Sequence, residues 1–269
     1  MNNISNASTL LRYPLLLPIF LVIGSISLFK LAGLYPFSSR FAEDMMHSSL
    51  QILLCIAVII LLRRFNLFDA TGLNNPIRNW PRNWPFAVVP MGLIGLINLL
   101  SVNWDTLSFD AVRVTGWIYN SVSTGLFEEI LLRGFCFYFL YRCWQERDNA
   151  IFLAAFAQAL IFGIAHLSNL QNAPVGDVLP QVVYATLLGI GFAGITVYTQ
   201  SVWPTIAIHS FINAMGDLDN FFGPVIADSA GDPSGYIAAI IIIFCVATLP
   251  GLYLLRLGQR RINSVRSHA

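Results

Sequence analysis

Charge is what this sequence has least of. Of its 269 residues only 11% are Asp, Glu, Lys or Arg, against 56% hydrophobic, whereas ordinary soluble domains carry roughly 25% charged residues. The deficit excludes a soluble globular chain and points to an integral membrane protein. No basic run and no interleaving of basic with aromatic residues occurs, so nucleic acid is excluded as a partner; lipid and whatever enters the bilayer remain. The four cysteines, Cys55, Cys136, Cys143 and Cys245, form no C-x-x-C pair and read as small buried hydrophobes rather than as a redox or metal motif. A small-residue cleavage site is also missing before Lys30, so the run from Pro14 to Phe29 reads as a retained first helix, not a removed signal.

What is present is a series of apolar runs of spanning or near-spanning length, at about 14–34, 48–62, 84–101, 117–140, 150–167, 180–199, 203–216 and 236–255. These predict an all-α, polytopic transmembrane bundle of about eight helices forming a single membrane domain over 1–269. With the N-terminus inside, the inner segments hold Arg12, then Arg63, Arg64, Arg78 and Arg82, then Arg142 and Arg147, and finally Arg256, Arg260, Arg261 and Arg266, while the outer side holds Lys30, Arg40 and Arg113. Basic residues accumulate on the cytoplasmic side of membrane proteins, so both termini are expected in the cytoplasm and the plasma membrane is the expected location. The segment from Leu67 to Pro85, with Trp80-Pro81 and Trp84-Pro85, predicts an interfacial connector. The acidic segment from Gly216 to Gly235 predicts an exposed outer loop. Ala185, Gly189 and Ala193 recur every four residues and predict close helix packing. Ser201 and Pro204 predict a helix start, Ser as a cap and Pro in the first turn.

Against this apolar background the stretch Ser123–Phe135 stands out. Glu128, Glu129 and Arg133 lie inside the fourth run, where each charge costs at least about 2.5–3.5 kcal/mol on insertion scales. Three such residues mark a site. Glu129 and Arg133, Phe162 and His166, and His209 and Asn213 are each four apart, so each pair projects from one helical face. Three helices can thus bring Glu128, Glu129, Arg133, His166, His209 and Asn213 into one interior cluster. At 100° per residue Glu129 lies over Arg133, its built-in counter-ion, while Glu128 points elsewhere and is the carboxylate left to act as a base. The bland readings are a buried ion pair that fixes packing, for Glu129 and Arg133, and interhelical hydrogen bonding, for His166, His209 and Asn213. Phe162 is most simply packing that shapes the pocket.

These motifs, Glu128-Glu129-x-x-x-Arg133, Phe162-x-x-x-His166 and His209-x-x-x-Asn213 in order on successive helices, resemble the CAAX protease and bacteriocin-processing family of intramembrane proteases, also called CPBP or Abi. The surrounding Phe127–Phe135, Ile161–Leu167 and Ser201-Val202-Trp203-Pro204 ahead of Ile208 agree. The resemblance covers about residues 115–216, a CPBP-like catalytic core. It implies that Glu128 activates water for peptide-bond hydrolysis with help from His166, that His209 and Asn213 stabilise the oxyanion, and that Glu129 and Arg133 support the site. The family was long labelled metalloprotease, but a glutamate base with a donor-lined oxyanion hole requires no metal. No cofactor is expected; zinc is the open alternative, with Glu128, His166 and His209 as its ligands. The i,i+4 H-E-x-x-H arrangement of one helix is absent.

The leading expectation is therefore a hydrolase acting on a peptide or protein substrate at the membrane. Buried Glu and His also build proton relays in transporters, but no second copy of the Glu-Glu or His-x-x-x-Asn pattern gives the matched halves common there. A non-catalytic scaffold or immunity protein of the same fold is the third reading, and it would survive replacement of Glu128. CAAX members of the family process cytosolic tails, whereas the arginine distribution places Glu128 and His166 toward the outer half of the bilayer. The substrate and its prenylation state are not written in the sequence.

Overall fold

A computed structural model describes residues 12–75, 77–224 and 233–266, with side chains through residue 261. Among the described residues there is no strand. The helices are α1 (Leu16–Gly33), α2 (Arg40–Arg64), α3 (Trp84–Leu100), α4 (Ala111–Glu129), α5 (Phe137–Trp144), α6 (Ala150–Ala165), α7 (Val175–Thr199), α8 (Trp203–Gly216), the short α9 (Leu218–Phe222), α10 (Pro233–Ile243) and α11 (Leu249–Arg266). A π-helical segment, Ile130–Cys136, joins α4 to α5, and another, Phe244–Thr248, joins α10 to α11. The chain is thus a polytopic all-α bundle. Five of its helical stretches are long and apolar enough to cross a membrane: Leu16–Gly33, Arg40–Arg64, Ala150–Gln171, Val175–Thr199 and Pro233–Arg261. Of the other expected spans, α3 has 17 residues and α8 has 14, and α4, 19 residues long, is rich in Ser, Thr, Asn and Gly as well as charged at its end.

Helix ends follow local capping more than apolar content. Ser39 Oγ accepts from Ala42 N (3.2 Å), so α2 begins at Arg40, eight residues before its apolar run. Asp110 Oδ1 accepts from Arg113 N (2.9 Å) and starts α4 at Ala111. Each side-chain acceptor satisfies an N–H that lacks an intrahelical partner. At α8 the cap position is Val202; Ser201, one residue earlier, still accepts from Trp203 N with its hydroxyl (3.3 Å), and Pro204 stands in the first turn.

The connector between α2 and α3 does more than lie at an interface. Thr71 is fully buried, Val202 N donates to Thr71 O (3.0 Å) and Trp203 Nε1 donates to Leu73 O (3.0 Å). Gly72 has φ of 65° and its α-carbon faces Gln200 O so closely that a side chain has no room. The connector therefore clamps the α7–α8 turn, and its tryptophans stack edge-on, Trp80 against Trp84 at 5.2 Å. The expected exposed loop after Gly216 begins instead as α9, which buries Leu218 and Phe222. Phe222 O accepts from Ser108 N (2.8 Å). Residues 225–232 of that loop lie outside the described residues. The cysteines divide: Cys55 and Cys136 are buried as expected, Cys143 is half-buried, and Cys245 is exposed on the outside of the bundle.

Two close approaches set the positions of α4, α6, α7 and α8. At Gly125 a Cβ would stand 3.0 Å from Ser210 N and 3.1 Å from Ile206 O, so α4 crosses α8 with backbones nearly touching. The Ala185–Gly189–Ala193 stripe is buried, and a Cβ at Gly189 would lie 2.8 Å from Ala159 Cβ, seating α7 against α6. Small residues at such crossings replace the hydrophobic drive that lipid removes.

Candidate active site

Helix α4 carries Glu128 and Glu129 at its last turn, three and four residues beyond the Gly125 crossing. The crossing places His209, the residue before Ser210, against both carboxylates. His209 Nδ1 lies 2.8 Å from Glu129 Oε1, and His209 Nε2 lies 3.5 Å from Glu128 Oε2. Arg133 Nη1 donates to the same Glu129 oxygen at 2.8 Å, with both side chains fully buried. A carboxylate paired to arginine accepts hydrogen bonds only, so the imidazole presents Nδ1–H to Glu129 and its Nε2 to Glu128. The neighbouring glutamates thus have different surroundings: the Glu129 side chain is 0% exposed, that of Glu128 27%. Glu128 alone of the two meets the open space of the cavity.

Arg133 is held in a way that charge pairing does not explain. Its Nε and Nη2 find no hydrogen-bond partner among the described residues. The guanidinium instead lies between two aromatic rings, with its carbon 4.8 Å from the centroid of Phe162 and 4.8 Å from that of Phe192. Ring faces attract such a cation, by about 2 kcal/mol or more when water is excluded. Phe162 also meets the His166 ring edge-on at 4.9 Å, and Phe192 stacks on His209 at 5.2 Å. Phe162 is therefore more than pocket packing: with Phe192 it links the arginine to both histidines. Phe192 was missed by sequence reasoning, although it stands one turn beyond Gly189 on the same packed face of α7.

The π-helical segment Ile130–Cys136 begins immediately after Glu129 and is buried throughout. Such widened turns occur often at functional sites. Nothing in its residue types announces it apart from the charges. Gln51 of α2 donates to Thr124 Oγ1 (3.0 Å) and accepts from Ser123 Oγ (2.6 Å), tying α2 to the turn before Glu128. His166 closes α6, and its Nδ1 lies 2.9 Å from Phe162 O, so its other ring nitrogen is the one left for the cavity. Trp117 Nε1 donates to Ala214 O at 2.7 Å and braces α4 to α8 beside Asn213.

Glu128, Phe162, His166, His209 and Asn213 all line one cavity of about 1110 Å³. Glu129 and Arg133 stand behind it. The structure thus brings the predicted residues together, in two layers. The opposite wall comes from α1 and α2 and carries Lys30, Glu43, His47 and Gln51, with Asn120 and Thr124 of α4 between the walls. Sequence reasoning missed this wall because Glu43 and His47 precede the apolar run of α2. Residues 110–215, which supply every one of the predicted site residues, match the family model described as Rce1-like, type II CAAX prenyl endopeptidase Rce1-like.

This segment is similar to the Rce1-like family. The family so described is one of endopeptidases, in agreement with the resemblance carried by the three motifs. No curated protein and no solved structure matches the chain. Among the described residues no group of three or more His, Cys, Asp or Glu stands spaced to hold a metal ion. Glu128, His166 and His209, the residues that would hold zinc, all line the cavity, and the bond from His209 Nδ1 to Glu129 leaves its Nε2 as the other ring nitrogen.

Proposed function

We propose that the protein is an intramembrane endopeptidase in which Glu128 activates water for attack on a peptide carbonyl. The observation that carries this reading is the pair of unequal glutamates: Glu129 sealed against Arg133 and His209, and Glu128 open to the cavity that His166, His209 and Asn213 share. In this reading Glu128 takes a proton from water as the oxygen bonds to the carbonyl carbon, and then gives it to the leaving nitrogen as the C–N bond breaks. His166, at the cavity edge, positions the water. Asn213 and His209 face the oxygen on which negative charge develops, one through its amide N–H and the other through Nε2. Glu129 holds both Arg133 and His209 at one oxygen.

Residues 115–216 constitute the catalytic core of one membrane domain that spans the chain. We place the protein in the plasma membrane with both termini cytoplasmic, on the arginine distribution given above. The substrate is a peptide or protein segment at the membrane, and catalysis runs without a metal.

Membrane peptides compared between cells carrying the intact chain and cells carrying Glu128→Gln test the reading. A substrate accumulates uncleaved in the variant and its two products disappear. Identical peptide profiles at equal protein levels would remove the peptidase assignment.

A further inference from the structure

The cavity has a mouth at one end of the bundle. It is lined by Leu31 and Leu34 at the end of α1, Glu43 in the first turn of α2, Asn169 and Asn172 after α6, and Asp217 at the end of α8. The opposite end is formed by the clamp of Thr71 and Gly72 on the α7–α8 turn and by Arg142, whose Nη1 donates to Phe65 O at 2.7 Å. Charge divides between these ends. The mouth end carries Glu43, Asp44, Asp105, Asp110, Asp177 and Asp217 with Lys30, Arg40 and Arg113 as its basic residues. The clamped end carries Arg63, Arg64, Arg78, Arg82, Arg142 and Arg147 in its connections, and Arg12 and the arginines of α11 at the termini, with Asp69, Glu146 and Asp148 as its acids.

We infer that the cavity opens on the extracytoplasmic side, so that the substrate is a membrane-associated segment presented from outside the cytoplasm. Two independent effects act in this direction. Lys and Arg in short connections near helix ends stay on the cytoplasmic side during insertion. After insertion, the arginine-bearing end is attracted to the anionic cytoplasmic leaflet, while an acid-rich rim facing that leaflet would be repelled from it. The mouth therefore turns away from the side on which a cytoplasmic CAAX tail would arrive. The statement about substrate rests on the peptidase reading; the orientation does not.

Single-cysteine labelling separates the two. In a parent chain carrying Cys143→Ser and Cys245→Ser, with Cys55 and Cys136 buried, Thr106→Cys reports the mouth end and Asn149→Cys the clamped end; both positions are exposed. A membrane-impermeant maleimide added to intact cells labels Thr106→Cys at least tenfold more than Asn149→Cys, and permeabilisation brings the two to equal labelling. A second pair, Asp105→Cys and Asp148→Cys, serves if either first variant fails to accumulate. Preferential labelling at the clamped end, or equal labelling of both ends in intact cells, overturns the inference and leaves hydrolysis standing. The uncleaved segment that accumulates with Glu128→Gln is degraded by proteinase K added to intact cells; a segment protected until lysis overturns the substrate class. An active Glu128→Gln protein would remove the peptidase reading while leaving the orientation in place.

Discussion

Glu129 accepts from Arg133 and His209 at a single oxygen, and that convergence makes it the residue on which the cluster's stability turns. Glu129→Gln leaves a fully buried guanidinium without its counter-ion, and removing one partner of a buried pair costs about 3–5 kcal/mol. The aromatic rings of Phe162 and Phe192 soften this loss without abolishing it. Protein yield and detergent melting temperature both fall in Glu129→Gln, and Glu129→Gln combined with Arg133→Met regains yield relative to the single change. Activity does not return with yield, because His209 Nδ1 then faces a neutral amide in place of the carboxylate. Substitution at Arg133 does nothing for Glu128→Gln, whose defect is chemical. The non-equivalence of the two glutamates was legible from the i,i+4 spacing of Glu129 and Arg133. The bond from Glu129 to His209 was not, since it joins residues 80 apart in sequence and depends on where two helices cross.

That crossing is a property of α4 and α8 as elements, and Gly125 sets it. Gly125→Val places a branched side chain against Ser210 and the carbonyl of Ile206, and overpacking of this kind costs about 1–3 kcal/mol. The helices separate, and His209 moves from both glutamates. Turnover therefore falls by more than the loss of folded protein accounts for, measured as rate per folded molecule by active-site-independent quantitation. Equal rates per folded molecule in Gly125→Val and the parent would show that the crossing does not position the site.

The helices themselves were largely legible, because a bilayer demands long apolar runs and each run appears as a helix. Their ends were not. Ser39 and Asp110 cap α2 and α4 ahead of the apolar stretches, and this hid Glu43 and His47, which line the cavity. The π-helical turn after Glu129 was invisible for a different reason: it lies in a run of Ile, Leu and Phe that is equally compatible with an ordinary helix. The segment from Gly216 to Gly235 reads as an exposed loop because it is acidic and holds Gly223-Pro224 and Asp232-Pro233, although Leu218 and Phe222 anchor α9 in the bundle.

At the scale of the whole molecule, hydrolysis requires water, peptide and a base in one apolar shell, and the cavity between α1, α2, α4, α6 and α8 supplies that meeting place. Purified protein treated with a strong chelator and passed through a desalting column retains its turnover, and elemental analysis finds zinc well below one per chain. Loss of activity that zinc restores, with stoichiometric metal in the untreated protein, would contradict it. The central claim is narrower, that Glu128 is the group that takes the proton from water. It is tested most directly by turnover of the peptide that accumulates in Glu128→Gln cells, measured with purified parent and Glu128→Gln proteins of matched melting temperature. The account predicts a fall of at least about 10²–10⁴-fold, the contribution of a general base. A well-folded Glu128→Gln protein that cleaves this peptide at near the parent rate would contradict it.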